Sequence, residues 1–303
     1  MKRTSVLIAA LLAGAGIAAS ASAQELTGTL KKIKDSGSIT IGHRDASIPF
    51  SYYDDRQQPV GYAMDLCHHI ADAIKAELKL PKLEVKYQLV TSANRIPLMA
   101  NGTIDLECGS TTNNLERQKQ VWFTITHFVT ANRFIAKKSA NLKKLDDLKG
   151  KTVVSTAGTT NIKQITELNG QRNLGMSILS ANGHAEAFLM VETGRSAAFV
   201  MDDILLYSLA ATSKAPGDYA ISDDALSVEP YGIMVRKDDS AYKKVVDAAM
   251  VGLYKSGRIN SIYEKWFLKP VPPKGVNLNV PMSERFKKVV ANPTDSGDPA
   301  AYP

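Results

Sequence analysis

One pattern constrains this chain more than any other: an alternation of strand and helix signals that runs once, breaks, and starts again. Residues 38–42 (SITIG) read as a short strand ending in glycine. Residues 62–78 carry Leu66, Ile70, Ile74 and Leu78 at strict i+4 spacing, with Ala63 and Cys67 beside them, which marks an amphipathic helix. Leu83, Val85, Tyr87 and Leu89 then alternate with polar residues, as a strand does. Residues 95–101 read as a helix stopped by Gly102, and residues 104–108 as a third strand. Strands separated by helices in this way belong to a parallel α/β sheet.

The pattern breaks at a turn over residues 146–150 and resumes with the strand 152–155 (TVVS), which leads into Gly158-Thr159-Thr160. A helix from about Asn161, a strand at 176–179, a helix at 185–192, a buried strand at 197–201 (AAFVM) and a helix at 204–211 complete a second α/β unit. Long amphipathic helices return in the last third, with Val245, Ala249 and Leu253 on one face and Ile259, Ile262 and Trp266 on another. From Pro270 onward Pro, Asn, Ser and Gly accumulate, and an extended tail over 270–303 is expected.

Composition narrows the class further. The chain has 303 residues, 44% hydrophobic and 22% charged, which is core material for two ordinary domains and argues against disorder. Lys2 and Arg3, an apolar run over residues 6–19 and the small residues Ala21-Ser22-Ala23 form a signal-peptide pattern, so 1–23 is expected to be cleaved on export. The apolar run is too short for a membrane span, and no cysteine follows the site to carry a lipid. Loss of Lys2 and Arg3 lowers the formal charge from +7 to +5. The remaining basic residues are dispersed rather than striped with aromatics, which argues against nucleic acid. His68 and His69 are adjacent, cannot share a helix face as metal ligands, and read as surface positions. Neither metal nor cofactor is expected. Export permits a disulfide between the two cysteines, Cys67 and Cys108, whereas nothing flanking them supports a Cys–His catalytic pair.

Open α/β sheets bind ligands beyond the carboxyl ends of their strands, so the residues there are the candidates. In the first unit these are His43-Arg44-Asp45, then Thr91-Ser92-Ala93-Asn94-Arg95, then Gly109-Ser110-Thr111-Thr112 with Arg117 one turn on. In the second unit they are Gly158-Thr159-Thr160, His184 and Asp202-Asp203. A guanidinium holds a carboxylate through two parallel hydrogen bonds. Helix N-terminal amides bind anions, and Ser or Thr hydroxyls donate or accept. Three arginines suit two carboxylates and Asp202 suits an amine, the charge pattern of aspartate or glutamate. As a phosphate loop, Gly158-Thr159-Thr160 lacks the required lysine, and nothing here is equipped to hydrolyse ATP.

These residues sit within runs that resemble the periplasmic amino-acid-binding proteins of ABC transporters. The runs are Ile48-Pro-Phe-Ser-Tyr-Tyr-Asp, Gly61-Tyr-Ala-Met-Asp65, residues 98–117 (LMANGTIDLECGSTTNNLER), Gly158-Thr-Thr160, Gly194-Arg-Ser-Ala-Ala-Phe-Val-Met-Asp202 and Glu264-Lys-Trp-Phe267. Residues 42–45 (GHRD), 91–97 (TSANRIP) and 109–114 (GSTTNN) resemble the glutamate/aspartate-binding branch. The resemblance implies a type II periplasmic-binding-protein fold, two α/β lobes joined by two hinge strands near residues 128–133 and 229–232. Lobe one would comprise 24–130 and 230–269, lobe two 131–229, and 270–303 the tail. Arg117 and Thr112, helped by Thr160, would bind the α-carboxylate. Ser110 and Asp202 would take the α-amine, and Arg44, Ser92, Arg95 and His184 the side-chain carboxylate. Cys67 and Cys108 would both lie in lobe one, on the core face of a helix and at the end of a central strand, and are expected to bond. A monomer is implied, working with separate permease and ATPase chains. Two other classes share the fold: binders of other polar amino acids, and enzymes of the cyclohexadienyl dehydratase type, for which Glu107 or Asp45 would be the acid. A sensory role beside transport is compatible with the same residues.

Overall fold

The computed structural model describes residues 26–303, so the signal-peptide reading of 1–23 lies outside the described residues. In chain order the first part comprises α1 (Gly28–Ser36), β1 (Ser38–His43), three short strands β2 (Ala46–Ser47), β3 (Ser51–Tyr53) and β4 (Pro59–Val60), and α2 (Tyr62–Glu77). It continues with β5 (Glu84–Leu89), α3 (Arg95–Ala100), β6 (Leu106–Cys108), α4 (Leu115–Gln118) and β7 (Val121–Phe123). The chain then crosses on β8 (Phe128–Lys137) into β9 (Thr152–Thr156), α5 (Thr160–Gln171), β10 (Ser177–Ala181), α6 (His184–Glu192), β11 (Ala198–Asp202), α7 (Asp203–Thr212) and β12 (Tyr219–Ile221). It returns on β13 (Ser227–Tyr231) to β14 (Met234–Arg236), α8 (Ser240–Lys255) and α9 (Arg258–Phe267). The hairpin β15 (Pro270–Val271) and β16 (Val276–Asn277) and the helix α10 (Glu284–Ala291) follow.

Two large sheets result, and with them two α/β lobes. The first has strand order β5-β1-β6-β14-β7, and the second β10-β9-β11-β8-β12. The central pairings β1–β5, β1–β6, β9–β10 and β9–β11 are parallel, as the strand–helix alternation requires. The two crossing strands pair with each other, antiparallel, from Phe128 opposite Tyr231 to Asn132 opposite Ser227. The i+4 stripe of α2 is buried: Leu66, Cys67, Ile70 and Ile74 are each wholly inaccessible and pack toward the first sheet and α8. An aromatic knot fixes the first lobe to the base of the crossing. Phe128 lies 5.0 Å from Phe50 and 5.1 Å from Phe267, and Tyr263 stacks on Phe267 at 4.3 Å. Such pairs add about 0.5–1.5 kcal/mol beyond area burial.

One strand reading holds with its place now known, and one reading needs correction. The alternating strand over Leu83, Val85, Tyr87 and Leu89 forms, but as the edge strand β5, with Tyr87 and Leu89 each 43% exposed. Its alternation is therefore not a core face. The tail is not simply extended either. Ser283 caps α10 by accepting from the amide of Phe286, and Phe286 and Val289 are buried against the first lobe.

Candidate functional site

The candidate residues converge because strand ends of both lobes face one cleft. Ser92, Arg95, Ser110, Thr112, Thr160, His184 and Asp202 line a small cavity between the lobes that encloses about 200 Å³ of empty space, together with Thr159, Asn161, Met201 and Leu205. Arg44 and Arg117 are buried but are not among the lining residues. The Nη1 of Arg117 donates to the Thr112 carbonyl at 2.8 Å, and its Nη2 crosses the cleft to the Gly158 carbonyl at 3.3 Å. A larger groove, with about 1080 Å³ of empty space, lies behind the crossing strands against Tyr207, Tyr263 and Val280. Among the described residues that line it, no buried side-chain polar atom lacks a partner, so the chemistry belongs to the smaller cavity.

The first lobe contributes crowded positive charge. Arg95 donates through Nη1 to the Thr111 hydroxyl at 2.5 Å and lies 3.8 Å from Glu107, which accepts from Thr111 at 2.6 Å. Burial and the neighbouring Arg95 pull Arg117 down to about 9 and Arg44 down to about 10. Both stay protonated near neutrality, and an anion beside Arg95 relieves its repulsion of each. Buried side-chain donors and hydroxyls without a protein partner are Arg44 Nε and Nη1, Arg95 Nε, Ser92 Oγ and Ser110 Oγ, alongside one unpaired carboxylate oxygen, Glu107 Oε1. Each such atom costs free energy until something bonds it.

The second lobe is built differently. Asp202 closes β11 and accepts from Asn161 at 2.7 Å and from the Tyr231 hydroxyl. Burial first, then the charge of Glu229, pushes its carboxyl up to about 7. Thr159 caps α5 by accepting from the Ile162 amide, so the following Thr160 stands at a helix N-terminus, and its hydroxyl donates to Glu229 at 3.0 Å. His184 begins α6, 2.9 Å from the Thr156 hydroxyl through Nδ1. Burial and the arginines Arg44 and Arg95 hold it well below its usual value, so the ring is neutral at pH 7. In the tautomer where the Thr156 hydroxyl donates to Nδ1, Nε2 carries the ring proton and is the nitrogen left to donate to a ligand.

Gly158 sets how closely the lobes meet. Its φ of +73° suits glycine, and a Cβ there would lie 2.5 Å from the Cα of Ala93 and 2.7 Å from its amide nitrogen. The contact is main chain on main chain, from opposite lobes.

Anion donors from one lobe, an acid from the other and a hinge between them are the parts of a ligand clamp. The sequence model of the bacterial extracellular solute-binding proteins, family 3, matches residues 39–269. The chain belongs to that family. This family 3 solute-binding protein is 54% identical to the L-glutamate/L-aspartate-binding protein of Pseudomonas aeruginosa, over 95% of this chain and 96% of that one. It is 43% identical to the glutamate/aspartate import solute-binding protein of Escherichia coli, over 97% and 98% of the two chains. Among solved structures it is similar to a mutant of ArgBP from T. maritima, at 29% identity and a TM-score of 0.70, covering 78% of this chain and 98% of that one.

Residue reading missed Asn161, Tyr231 and Glu229, which hold Asp202 and Thr160 in place. Tyr231 and Glu229 lie on a crossing strand rather than after a sheet strand, so the strand-end rule does not reach them. Asn161 was passed over as an ordinary helix residue. His68 and His69 are half-buried rather than exposed, and His68 meets the Tyr87 hydroxyl at 2.7 Å. Among the described residues no group of three or more His, Cys, Asp or Glu is placed to hold a metal. The structure joins Cys67 and Cys108 by a disulfide, tying α2 to the end of β6 just before the loop that carries Ser110.

Proposed function

We propose that this protein captures L-glutamate or L-aspartate in the cleft and carries it, as a closed monomer in the periplasm after removal of residues 1–23, to the membrane subunits of an ABC importer. The observation that carries this reading is the gathering of positive charge: of three buried arginines, Arg95 lines the cavity, Arg44 and Arg117 lie buried beside it, unpaired donors remain on Arg44 and Arg95, and the opposite wall holds Asp202. A ligand with two carboxylates and one ammonium fits that arrangement; a neutral amino acid leaves a guanidinium unbonded. Arg117 with Thr112 and the N-terminus of α5 takes the α-carboxylate. Asp202 and Ser110 take the ammonium. Arg95, Arg44, Ser92 and the Nε2–H of neutral His184 take the side-chain carboxylate. The names of the relatives from Pseudomonas aeruginosa and Escherichia coli support the same ligands.

Closure follows from the division of labour. Neither lobe alone satisfies every charge of the ligand, so the ligand stabilises the closed arrangement by the contacts it makes only there. Calorimetric titration of the mature protein with glutamate, aspartate, glutamine, asparagine and arginine tests the reading. Binding of the two acidic ligands is expected, with the amides much weaker. Tight binding of a neutral or basic amino acid in their place overturns it.

A further inference from the structure

We infer that the carboxyl-terminal stretch 292–302 is a positioning element of the ligand site, holding the loop 110–117 in its binding shape. That loop carries Ser110, Thr112 and Arg117, and the inference rests on their proposed role in binding the amino-acid backbone. The stretch follows α10 and lies outside the residues matched by the family model. It is fastened to the first lobe by the Thr126 amide donating to the Thr294 carbonyl at 2.8 Å and by Lys243 pairing with Asp295 at 2.8 Å. Tyr302, 2% exposed, donates its hydroxyl to the Ser296 carbonyl at 2.7 Å and sits 2.7 Å from the Thr126 hydroxyl.

From that anchorage it grips the loop directly. Asn113 is wholly buried, and its Nδ2 donates to the Asp295 carbonyl at 2.8 Å. Its Oδ1 accepts from Gln118 at 2.8 Å, and Gln118 also donates to the Asp295 carbonyl at 3.0 Å. Asn114 caps α4 through the Arg117 amide at 2.8 Å, which fixes where the Arg117 side chain starts. Gly297 lies flat on this turn: a Cβ there would be 2.8 Å from the carbonyl carbon of Asn114 and from the amide nitrogen of Leu115. On its other side the loop is held by the Asn113 amide bonding the Pro230 carbonyl at 2.7 Å. So the loop is clamped between a crossing strand and the tail, and the tail half of the clamp is reached through main-chain carbonyls.

Two full-length mature variants test this, Gly297→Ala from the side of the tail and Asn113→Asp from the side of the loop. The second keeps the shape of the side chain and removes the donor, so it stays informative if the first is poorly folded. Both are compared with the parent for affinity, melting temperature and amide hydrogen exchange over residues 110–117. The expected result is faster exchange in the loop and an affinity lowered about tenfold, by a similar factor for glutamate, aspartate and glutamine, because the α-carboxylate anchor is common to all three. A lower melting temperature with affinity within about twofold of the parent, or unchanged exchange in the loop, overturns the inference and leaves the tail a structural brace. Should the parent bind none of these amino acids, the ligand reading fails, while the exchange measurement still decides whether the tail holds the loop.

Discussion

The first lobe meets the cleft with Ser92, Arg95 and Ser110, backed by buried Arg44, all of which have buried polar atoms without protein partners. The second meets it with Thr160, whose hydroxyl is bonded to Glu229, Asp202, bonded to Asn161 and Tyr231, and His184, bonded to Thr156 through Nδ1 with Nε2 left for a ligand. Among the described residues, every unpaired buried side-chain polar atom at the cleft belongs to the first lobe. One wall is therefore primed and the other largely self-satisfied. On the proposed reading, the primed wall gains most from an anion and would receive the ligand first, and the second wall would close over it, adding Asp202 and a helix N-terminus.

The comparison is easiest to break at Arg117. Losing one partner of a buried charge pair costs roughly 3–5 kcal/mol, so Arg117→Ala is expected to remove binding of every amino acid, acidic or amide, in titration calorimetry. Retained glutamine binding would show that Arg117 does not serve the α-carboxylate.

The disulfide marks a second asymmetry, since it staples only the first lobe. Closing a loop across a sequence separation of 41 residues is worth about 4 kcal/mol on the chain-entropy view. Reductant, or Cys67→Ser with Cys108→Ser, should therefore lower the melting temperature. Hydrogen exchange should rise around α2 and β6 and stay unchanged in α5 and α6. Two free thiols found by alkylating the unreduced, unfolded protein would contradict the bond itself.

Arg95→Ala sharpens the split within the primed wall. Acidic ligands should weaken by about two to three orders of magnitude, and any residual glutamine affinity far less. Equal losses for glutamate and glutamine would move Arg95 away from the side-chain carboxylate.

The smallest effect concerns the cover. With the Asp202 carboxyl raised to about 7, the free closed site holds a proton below that pH, whereas a bound ammonium favours the carboxylate. Binding then releases a proton. Affinity is full above about pH 7 and falls by up to about tenfold per unit below it, and in Asp202→Asn this dependence should vanish. Calorimetry in buffers of different ionisation enthalpy measures the proton release.

Much of this was legible in the residues, and the reasons are particular. The stripe Leu66, Ile70, Ile74 announces α2 because its whole face is buried, and the strand-end rule found Ser92, Arg95, Ser110, Thr160, His184 and Asp202 because parallel strands deliver side chains to one edge. Val85, Tyr87 and Leu89 announced β5 but not its place, because alternation is equally compatible with an exposed sheet edge. The helix α10 was hidden by the prolines around it, although Ser283 three residues before Phe286 is an N-cap signal. Asn161, Glu229 and Tyr231 were not readable at all, since what they do is bond other site residues across long stretches of chain.

The contact of Gly158 with Ala93 has a consequence for what the outside world can learn from this molecule. Because main chain stops main chain there, the final separation of the lobes is set by the backbone and not by the side chain of the guest. Glutamate and aspartate, one methylene apart, would then present the same outer shape. A receptor that reads the closed form learns that the cleft is full, but not with which of the two, so any choice between them has to be made inside, before the lobes touch.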